Sequence, residues 1–256
     1  MQFLRVADMT QAIPPSSSQP EVQFPPGNLW SDEPPLESDL HRDQIDLLIR
    51  LLKWWWRDRP DFYVSGNLTI YYNERQLKSR DFRGPDFFVV LGTEKRDRRS
   101  WVVWEEGGKY PNLIIELLSD STAAIDKGLK KQLYQDIFRT PNYFWFDPKT
   151  LELRGFHLVD GKYEDIPPNP QGWLWSQSLE LYLGVHDQKL RFFTEAGALV
   201  PLPEEDSQQQ LVQERQRAEQ ERQRAEQDRQ RAEQAEQELE RLRALLNAQG
   251  LEPDNS

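Results

Sequence analysis

The sequence predicts an α/β or α+β domain followed by a long charged helix. Three observations carry this prediction: an amphipathic helical repeat around Ile45, a series of short apolar runs with strand chemistry, and a seven-residue repeat near the C-terminus. A helix, then strands, then a second helix and further strands is the element order of a mixed domain, here of about 165 residues.

Composition excludes several classes of chemistry. The chain of 256 residues has no cysteine, which excludes disulfides, thiolate zinc sites, iron–sulfur clusters and cysteine nucleophiles. The histidines, His41, His157 and His186, stand far apart, so a histidine metal cage is not expected. No apolar run approaches the roughly 20 residues of a membrane span, and the N-terminus lacks a signal-peptide pattern. We therefore predict a cytoplasmic protein with no membrane partner.

The N-terminal segment and the first helix differ sharply in composition. Residues 1–37 are rich in proline and serine, and proline at this density neither extends a helix nor joins a β-ladder, which predicts an extended arm. The folded domain is predicted over 38–203. Apolar residues recur at helical spacing between Ile45 and Trp55 and predict an amphipathic helix over 39–57.

The rest of the domain alternates strand and helix signals. Asp160-Gly161 is typical of a tight hairpin turn. A second helix is predicted over 123–138, with Leu129 and Ile137 in its buried stripe, Lys130 at the border of that stripe and Lys131 nearly opposite. Strands are predicted at 62–72, 86–92, 101–105, 112–118 and 142–147.

The segment 207–248 carries a heptad repeat that is only partly apolar. One seam position is occupied by Leu211, Ala218, Ala225, Ala232, Leu239 and Leu246. The other seam position is Glu214, Glu221, Asp228, Ala235 and Leu242, so it becomes apolar only at the end. This pattern predicts a solvated helix with a weak coiled coil near its C-terminus, and a homo-oligomer, such as a dimer, as one outcome. A charged helical stalk without a tight partner is the alternative interpretation.

Two carboxylates occupy positions where burial is costly. Asp86 opens a strongly apolar strand directly after Pro85, and Glu116 lies inside the run NLIIELL. A carboxylate in such surroundings must be paired or must bind a cation to offset desolvation. The structural alternatives are a turn or cap for Asp86 and a solvated strand face for Glu116.

The second helix supplies partners for these carboxylates. Lys130 can lay its stem along the sheet and bring its ammonium to Glu116, and Tyr134 lies one turn further on the same side. Two carboxylates and a lysine suit a Mg²⁺ site that acts on phosphodiesters, because Mg²⁺ is held by one or two carboxylates together with substrate phosphates. An ordinary surface pair between Asp126 and Lys130 is the alternative.

Four sequence blocks carry a family resemblance: RGPDFFVV, NLIIELLS, DKGLKKQLYQ and PNYFWFDP. With these blocks in this order, the chain resembles the Uma-two family of bacterial restriction-endonuclease-like proteins, which belongs to the PD-(D/E)XK nuclease superfamily. The resemblance runs from about His41 to Pro203, and a charged heptad tail also occurs in members. It implies a restriction-endonuclease-like core, with a central mixed β-sheet flanked by helices.

The resemblance also implies site residues, a cofactor and a substrate. It implies metal ligation of Mg²⁺ or Mn²⁺ by Asp86 and Glu116, with DNA as the substrate. Lys130 corresponds to the catalytic lysine, and Asp126 and Tyr134 correspond to supporting positions. The superfamily's lysine normally follows the acid by two residues, a position that Leu118 occupies here, so the lysine must come from the following helix. Glu37 and His41 are two open alternatives for a further group.

The net charge of the chain before the heptad tail, residues 1–206, favours a second function. Residues 1–206 carry 24 basic and 32 acidic side chains, and an acidic body repels a phosphate backbone. Two local basic clusters, 95–99 and 127–131, are candidate DNA-binding edges or ordinary solvated loops. The alternative to an endonuclease is therefore a catalytically inert interaction module that assembles through the heptad tail.

Overall fold

The computed structural model describes residues 38–73, 82–119 and 126–248, and the chain divides into two compact units, 1–198 and 199–256. The predicted arm over 1–37 lies outside the described residues. Within the described ranges, no helix combines the length and the apolar character needed to cross a membrane.

The first unit mixes helices with short strands in the predicted order. Its first half contains α1 (Asp39–Trp55), β1 (Phe62–Ser65), β2 (Ile70–Tyr71), β3 (Phe82–Arg83), β4 (Phe87–Leu91), β5 (Trp101–Val102) and β6 (Leu113–Leu117). A helix α2 follows in three consecutive segments, which are π-helical (Asp126–Lys130), α-helical (Lys131–Leu133) and π-helical (Tyr134–Phe138). The remaining strands are β7 (Asn142–Phe146), β8 (Leu153–Val159), β9 (Lys162–Asp165), β10 (Leu174–Ser176), β11 (Leu181–His186) and β12 (Lys189–Phe193).

A six-stranded mixed sheet forms the centre of this unit, in the order β1-β4-β6-β7-β8-β9. Strands β6 and β7 are parallel, and the other neighbours pair antiparallel. Two three-stranded sheets, β10-β11-β12 and β3-β2-β5, accompany it. The predicted fold class, a mixed α/β domain with a central mixed sheet and a long C-terminal helix, is confirmed.

The three central strands are buried along nearly their whole length. Every residue of β6 and β7 is buried, as is all of β4 except Leu91, which explains why these strands are continuous apolar runs. Helix α1 contributes Leu48, Leu51 and Leu52, none of which is exposed to solvent, to the core. Burial of this kind stabilises the fold by about 1.5–3 kcal/mol for each large apolar side chain.

The hairpin between β8 and β9 is confirmed. Val159 pairs with Lys162, and Asp160 and Gly161 between them have φ angles of +48° and +82°. Two consecutive left-handed residues form the tight turn whose twist matches that of the flanking strands.

The single strand predicted over 62–72 is wrong, because the chain breaks at Gly66 and Asn67 into β1 and β2. A Cβ on Gly66 would overlap the carbonyl oxygen of Asp86 and the side chain of Ile45. Asn67, with φ +46°, then donates its backbone N–H to the Pro85 carbonyl at 3.0 Å. The break therefore brings the end of β1 against the segment that carries Asp86.

The helix predicted over 123–138 is confirmed for its described part, residues 126–138, but two members of its predicted buried stripe are wrong. Leu129 is 63% and Ile137 is 50% exposed, whereas Tyr134 and Phe138 are buried. The face towards the sheet repeats every four residues, as predicted, but lies one residue later, at Lys130, Tyr134 and Phe138. The contacts of Lys130 and Tyr134 with Glu116 set this phase, and a helical wheel does not include them.

The second unit contains one continuous helix, α3 (Pro203–Ala248), which is 46 residues long. No residue of this helix is buried. Its intrahelical ion pairs include Arg229–Glu233, four residues apart, with an N–O distance of 3.0 Å. Such pairs stabilise a solvated helix by a few tenths of a kcal/mol each, about 0.2–0.5.

Candidate active site

Glu116 lies at the centre of the candidate site. It is the fourth residue of β6, pairs in register with Trp145 of the parallel strand β7, and has no exposed surface. The solvated strand face that was its structural alternative is therefore wrong. A carboxylate so placed requires several hydrogen-bond donors, because an isolated buried charge is very costly.

Three donors converge on the Glu116 carboxylate. Tyr134 donates its hydroxyl to Oε1 at 2.6 Å, and Lys130 donates its ammonium to Oε2 at 3.1 Å. The backbone N–H of Asp86 also donates to Oε2, at 3.3 Å. Lys130 and Tyr134 are four residues apart on α2, so one helix face delivers both groups to the same carboxylate. The Lys130 side chain is 18% exposed, so its ammonium stands between Glu116 and the surface.

Asp86 is tied to the strand that carries Glu116. Phe87 pairs with Ile115 in the antiparallel ladder between β4 and β6, which sets Asp86 beside Glu116. The Oδ2 atom of Asp86 accepts the backbone N–H of Leu117 at 2.7 Å. Each carboxylate thus accepts a backbone N–H from the other's strand end, and the half-buried Asp86 and the buried Glu116 are neighbours.

Burial dominates the electrostatics of Glu116. Desolvation, together with the nearby charge of Asp86, raises the pKa of Glu116 to about 7, although Lys130 and the Tyr134 hydroxyl act in the opposite direction. Near neutral pH, where an ordinary glutamate is ionised, this carboxyl is therefore partly protonated.

Of the two alternatives for a further group, His41 is described and Glu37 lies outside the described residues. His41 is 8% exposed, and its Nε2 lies 3.2 Å from the carbonyl oxygen of Leu117. Its Nδ1 lies 3.0 Å from the hydroxyl of Ser38, which caps the N-terminus of α1. The histidine therefore links the start of α1 to the strand end beside Glu116.

Two further lysines of α2 lie over aromatic rings of the same sheet. The Lys127 ammonium is 4.3 Å from the centre of the Trp145 ring, and the Lys131 ammonium is 3.4 Å from that of Phe156. The prediction that Lys131 points nearly opposite to the sheet is wrong. Sequence reasoning missed these ring contacts, because the spacing of the lysines alone does not show which strand residues they meet.

The other basic cluster, 95–99, is largely engaged within the protein. Arg96 and Arg98 both donate to Oε1 of Glu106 at 2.6 Å, and the Arg98 side chain is only 2% exposed. Glu106 is accordingly the ion-pair partner of both arginines. Lys95 donates to the carbonyl oxygens of Trp56 and Arg57 at the C-terminus of α1. This cluster is therefore a weaker candidate for a DNA-binding edge than the lysines of α2.

The structure brings together Asp86, Glu116, Lys130 and Tyr134 from separate parts of the chain. Asp126 opens α2, and its side chain lies outside the described residues. Among the described residues, no group of three or more histidine, aspartate or glutamate side chains could hold a metal ion. Asp86 and Glu116 nevertheless fit Mg²⁺, which takes oxygen ligands and is bound by one or two carboxylates with substrate phosphates completing its shell.

A mixed sheet with a pair of carboxylates and a lysine at one strand end fits the restriction-endonuclease-like class of proteins. A family model described as "Uma2: Putative restriction endonuclease" matches residues 6–191, and the chain belongs to this family. The match begins earlier, at residue 6 rather than about His41, and ends earlier, at residue 191 rather than Pro203, than the resemblance carried by the four sequence blocks. The predicted family is confirmed.

Comparison with solved structures finds a similar chain, a "putative nuclease" of the DUF820 group from Anabaena variabilis. The two sequences are 13% identical, and the TM-score is 0.45. The alignment covers 60% of this chain and 82% of that chain. No curated protein matches the chain.

Proposed function

We propose that the protein is a metal-dependent endonuclease that hydrolyses phosphodiester bonds in DNA. Asp86 and Glu116 hold Mg²⁺ or Mn²⁺ in this proposal, and Lys130 assists the reaction. The observation that carries the proposal is the fully buried Glu116, contacted by Lys130, Tyr134 and the backbone of Asp86. Membership of a family described as restriction endonucleases supports it.

The free-energy cost of burying the Glu116 carboxylate is the reason why this arrangement indicates function. Replacing a buried ion pair by apolar side chains of similar volume is often neutral or stabilising, so the Glu116–Lys130 pair is not required for stability. Its side chains also lie next to a second carboxylate, which makes burial of Glu116 more costly still. Perturbed carboxyl groups in such surroundings are typical of catalytic sites.

The chain's own residues divide the work as follows. Asp86 and Glu116 supply the carboxylate oxygens, and a divalent cation bound there would lower the pKa of a water molecule and neutralise phosphate charge. Tyr134 holds Glu116 in one orientation through the hydrogen bond to Oε1. Lys130 is partly exposed beside Oε2, and in this proposal it would orient the attacking water and stabilise negative charge that develops on the phosphate.

The second candidate function is an inert member of the fold that serves as an interaction module. One observation favours it: Leu118 occupies the position where the superfamily places its lysine, and it is 3% exposed within the core. The contact of Lys130 with Glu116 favours the enzyme, because it returns an ammonium to the same carboxylate from α2.

Cleavage of supercoiled plasmid DNA tests the proposal directly. The full chain is expected to nick the plasmid in the presence of Mg²⁺ or Mn²⁺ and to be inactive in EDTA. A matched variant, Asp86→Asn, is expected to lose this cleavage while keeping its circular-dichroism spectrum. Absence of cleavage by folded wild-type protein with either metal would contradict the proposal for plasmid DNA and favour the inert module.

Metal binding should also be visible without catalysis. Millimolar Mg²⁺ or Mn²⁺ is expected to raise the melting temperature by about 3–6 °C, since a ligand at about ten times its Kd stabilises the native state by about 1.4 kcal/mol. The measurement is differential scanning fluorimetry at constant ionic strength, with Glu116→Gln as the variant that should show no shift. An equal shift in wild type and variant would place the metal elsewhere.

A further inference from the structure

The C-terminal part of α3 exposes an apolar stripe. Leu239, Leu242, Leu245 and Leu246 are 49%, 52%, 51% and 39% exposed. Apart from Leu211 and Val212, the rest of the helix after Pro203 carries charged, polar and alanine side chains, and no residue of α3 is buried. Four half-exposed leucines within two helical turns are more than the scattered apolar side chains that a solvated surface normally carries.

We propose that residues 231–246, the zipper segment, form a parallel, in-register, two-stranded coiled coil with a second copy of this chain. Residues 213–229, the polar segment, do not take part. This association involves α3 alone and does not depend on nuclease activity. The partner is a second copy of this chain, because the apolar seam and the charges that flank it are complementary to their own copies.

The seam itself changes character between the two segments. In the zipper segment both seam positions are apolar, formed by Ala232, Ala235, Leu239, Leu242 and Leu246. In the polar segment, the second seam position is acidic at Glu214, Glu221 and Asp228. In a parallel dimer, residues at this position face their own copies, so three pairs of like charges would meet. Only the zipper segment can therefore bury its seam against an identical helix.

The flanking positions change sign at the same place. The first seam position is the one that Ala232 and Leu239 occupy. In a parallel coiled coil, the residue directly before this position faces the residue five places later in the other copy. In the zipper segment this rule sets Arg231 against Glu236, and Glu238 against Arg243, so both flanking pairs are attractive.

In the polar segment the same rule gives repulsion. It sets Arg217 against Arg222, and Arg224 against Arg229, in the other copy. Intrahelical ion pairs occur in both segments, at Arg229–Glu233, Arg231–Asp228 and Arg241–Glu238, so the distinction rests on the sign of the charges that meet across the two copies. Seam and flanks, which are different residues, thus independently place the boundary of the coiled coil close to residue 230.

Mass measurements on the full chain test whether the partner of the zipper segment is a second copy. Light scattering at tens of micromolar protein is expected to give twice the chain mass of 30.3 kDa, falling towards the monomer on dilution. Leu242→Asp is expected to give the monomer, and Ala244→Asp, on the outer face of the same turn, to remain a dimer. A monomeric wild type, or a dimer that Leu242→Asp leaves intact, would overturn the proposal.

Orientation and register have their own test. Glu238→Arg and Arg243→Glu are each expected to weaken the dimer at least tenfold, and the double swap is expected to restore it, because each residue faces the other only in the parallel register. The chain lacks cysteine, so Leu242→Cys introduces a single thiol. It should form a disulfide-linked dimer on oxidation, whereas Ala244→Cys should not. Failure of the double swap to restore the dimer, or equal cross-linking of both cysteine variants, would overturn the parallel arrangement.

Discussion

Glu116→Gln is expected to reduce metal-dependent DNA cleavage to less than about one hundredth of wild type, because it removes a charge that we assign to metal binding and that contributes several kcal/mol to the transition state. Glutamine keeps the volume of the side chain. Its amide oxygen can accept from Lys130 and the Asp86 N–H, while its NH2 group donates to the Tyr134 hydroxyl oxygen. The change is therefore electrostatic and leaves packing in place. The measurement is the nicking rate of supercoiled plasmid with Mg²⁺ and with Mn²⁺.

The matched control is Glu164→Gln, which neutralises an exposed carboxylate on the edge strand β9 of the same sheet. It is expected to cleave at the wild-type rate. Equal activity of Glu116→Gln and wild type would contradict the assignment of the site, whereas loss of activity in both variants would point to a general requirement for sheet charge.

The Glu116→Gln variant should also change how stability depends on pH in metal-free buffer. The folded-state pKa of Glu116 is raised to about 7, so the native state binds this proton more tightly than the unfolded chain. Its contribution to stability is complete below the unfolded pKa near 4.5 and is lost as pH rises through 7. The free energy of unfolding of Glu116→Gln, relative to that of wild type, is expected to increase by about 3 kcal/mol between pH 4.5 and pH 8. Denaturant unfolding at both pH values measures it, and a pH-independent difference would contradict the buried-charge interpretation.

Several parts of this site were predictable because they depend on local sequence. Asp86 directly precedes an apolar strand, and Glu116 interrupts another, so the cost of burying both carboxylates is visible in the sequence. The spacing of Lys130 and Tyr134 on one helix then suggests which groups can meet Glu116, and the structure brings all three together.

Other features depend on distant parts of the chain and could not be predicted. His41 approaches the carbonyl of Leu117 across 76 residues of sequence, and no local pattern encodes that contact. The crossed hydrogen bonds between Asp86 and the end of β6 follow from strand register, which tertiary packing decides. The phase of α2 is also invisible to a helical wheel, because contacts with the distant Glu116 turn Lys130 and Tyr134 towards the sheet. These contacts leave Leu129 exposed, contrary to the prediction.

Lys130→Met is expected to destabilise the protein by about 3 kcal/mol at pH 8, because it removes the cation that contacts a fully buried carboxylate. Methionine retains much of the length of the lysine stem, so the loss of packing is small. At pH 5 the cost should be much smaller, since Glu116, with a pKa of about 7 in the wild type, is then protonated and requires no cation.

The double variant Glu116→Gln/Lys130→Met separates charge from packing. With neutral glutamine at 116, removal of the ammonium is expected to cost less than about 1 kcal/mol at pH 8, so the two substitutions should be strongly coupled. Lys127→Met is the matched control, because Lys127 is an exposed lysine of the same helix that contacts the Trp145 ring on the sheet. It should change stability by no more than about 1 kcal/mol, equally at pH 5 and pH 8. If Lys130→Met costs the same at pH 5 and pH 8, and the same with glutamine at 116, Lys130 supports the fold through packing alone. If the cost disappears when Glu116 is neutral, Lys130 stabilises the protein only by compensating the buried charge. Apolar side chains could fill the same space without that charge, so its presence favours a chemical role for the site.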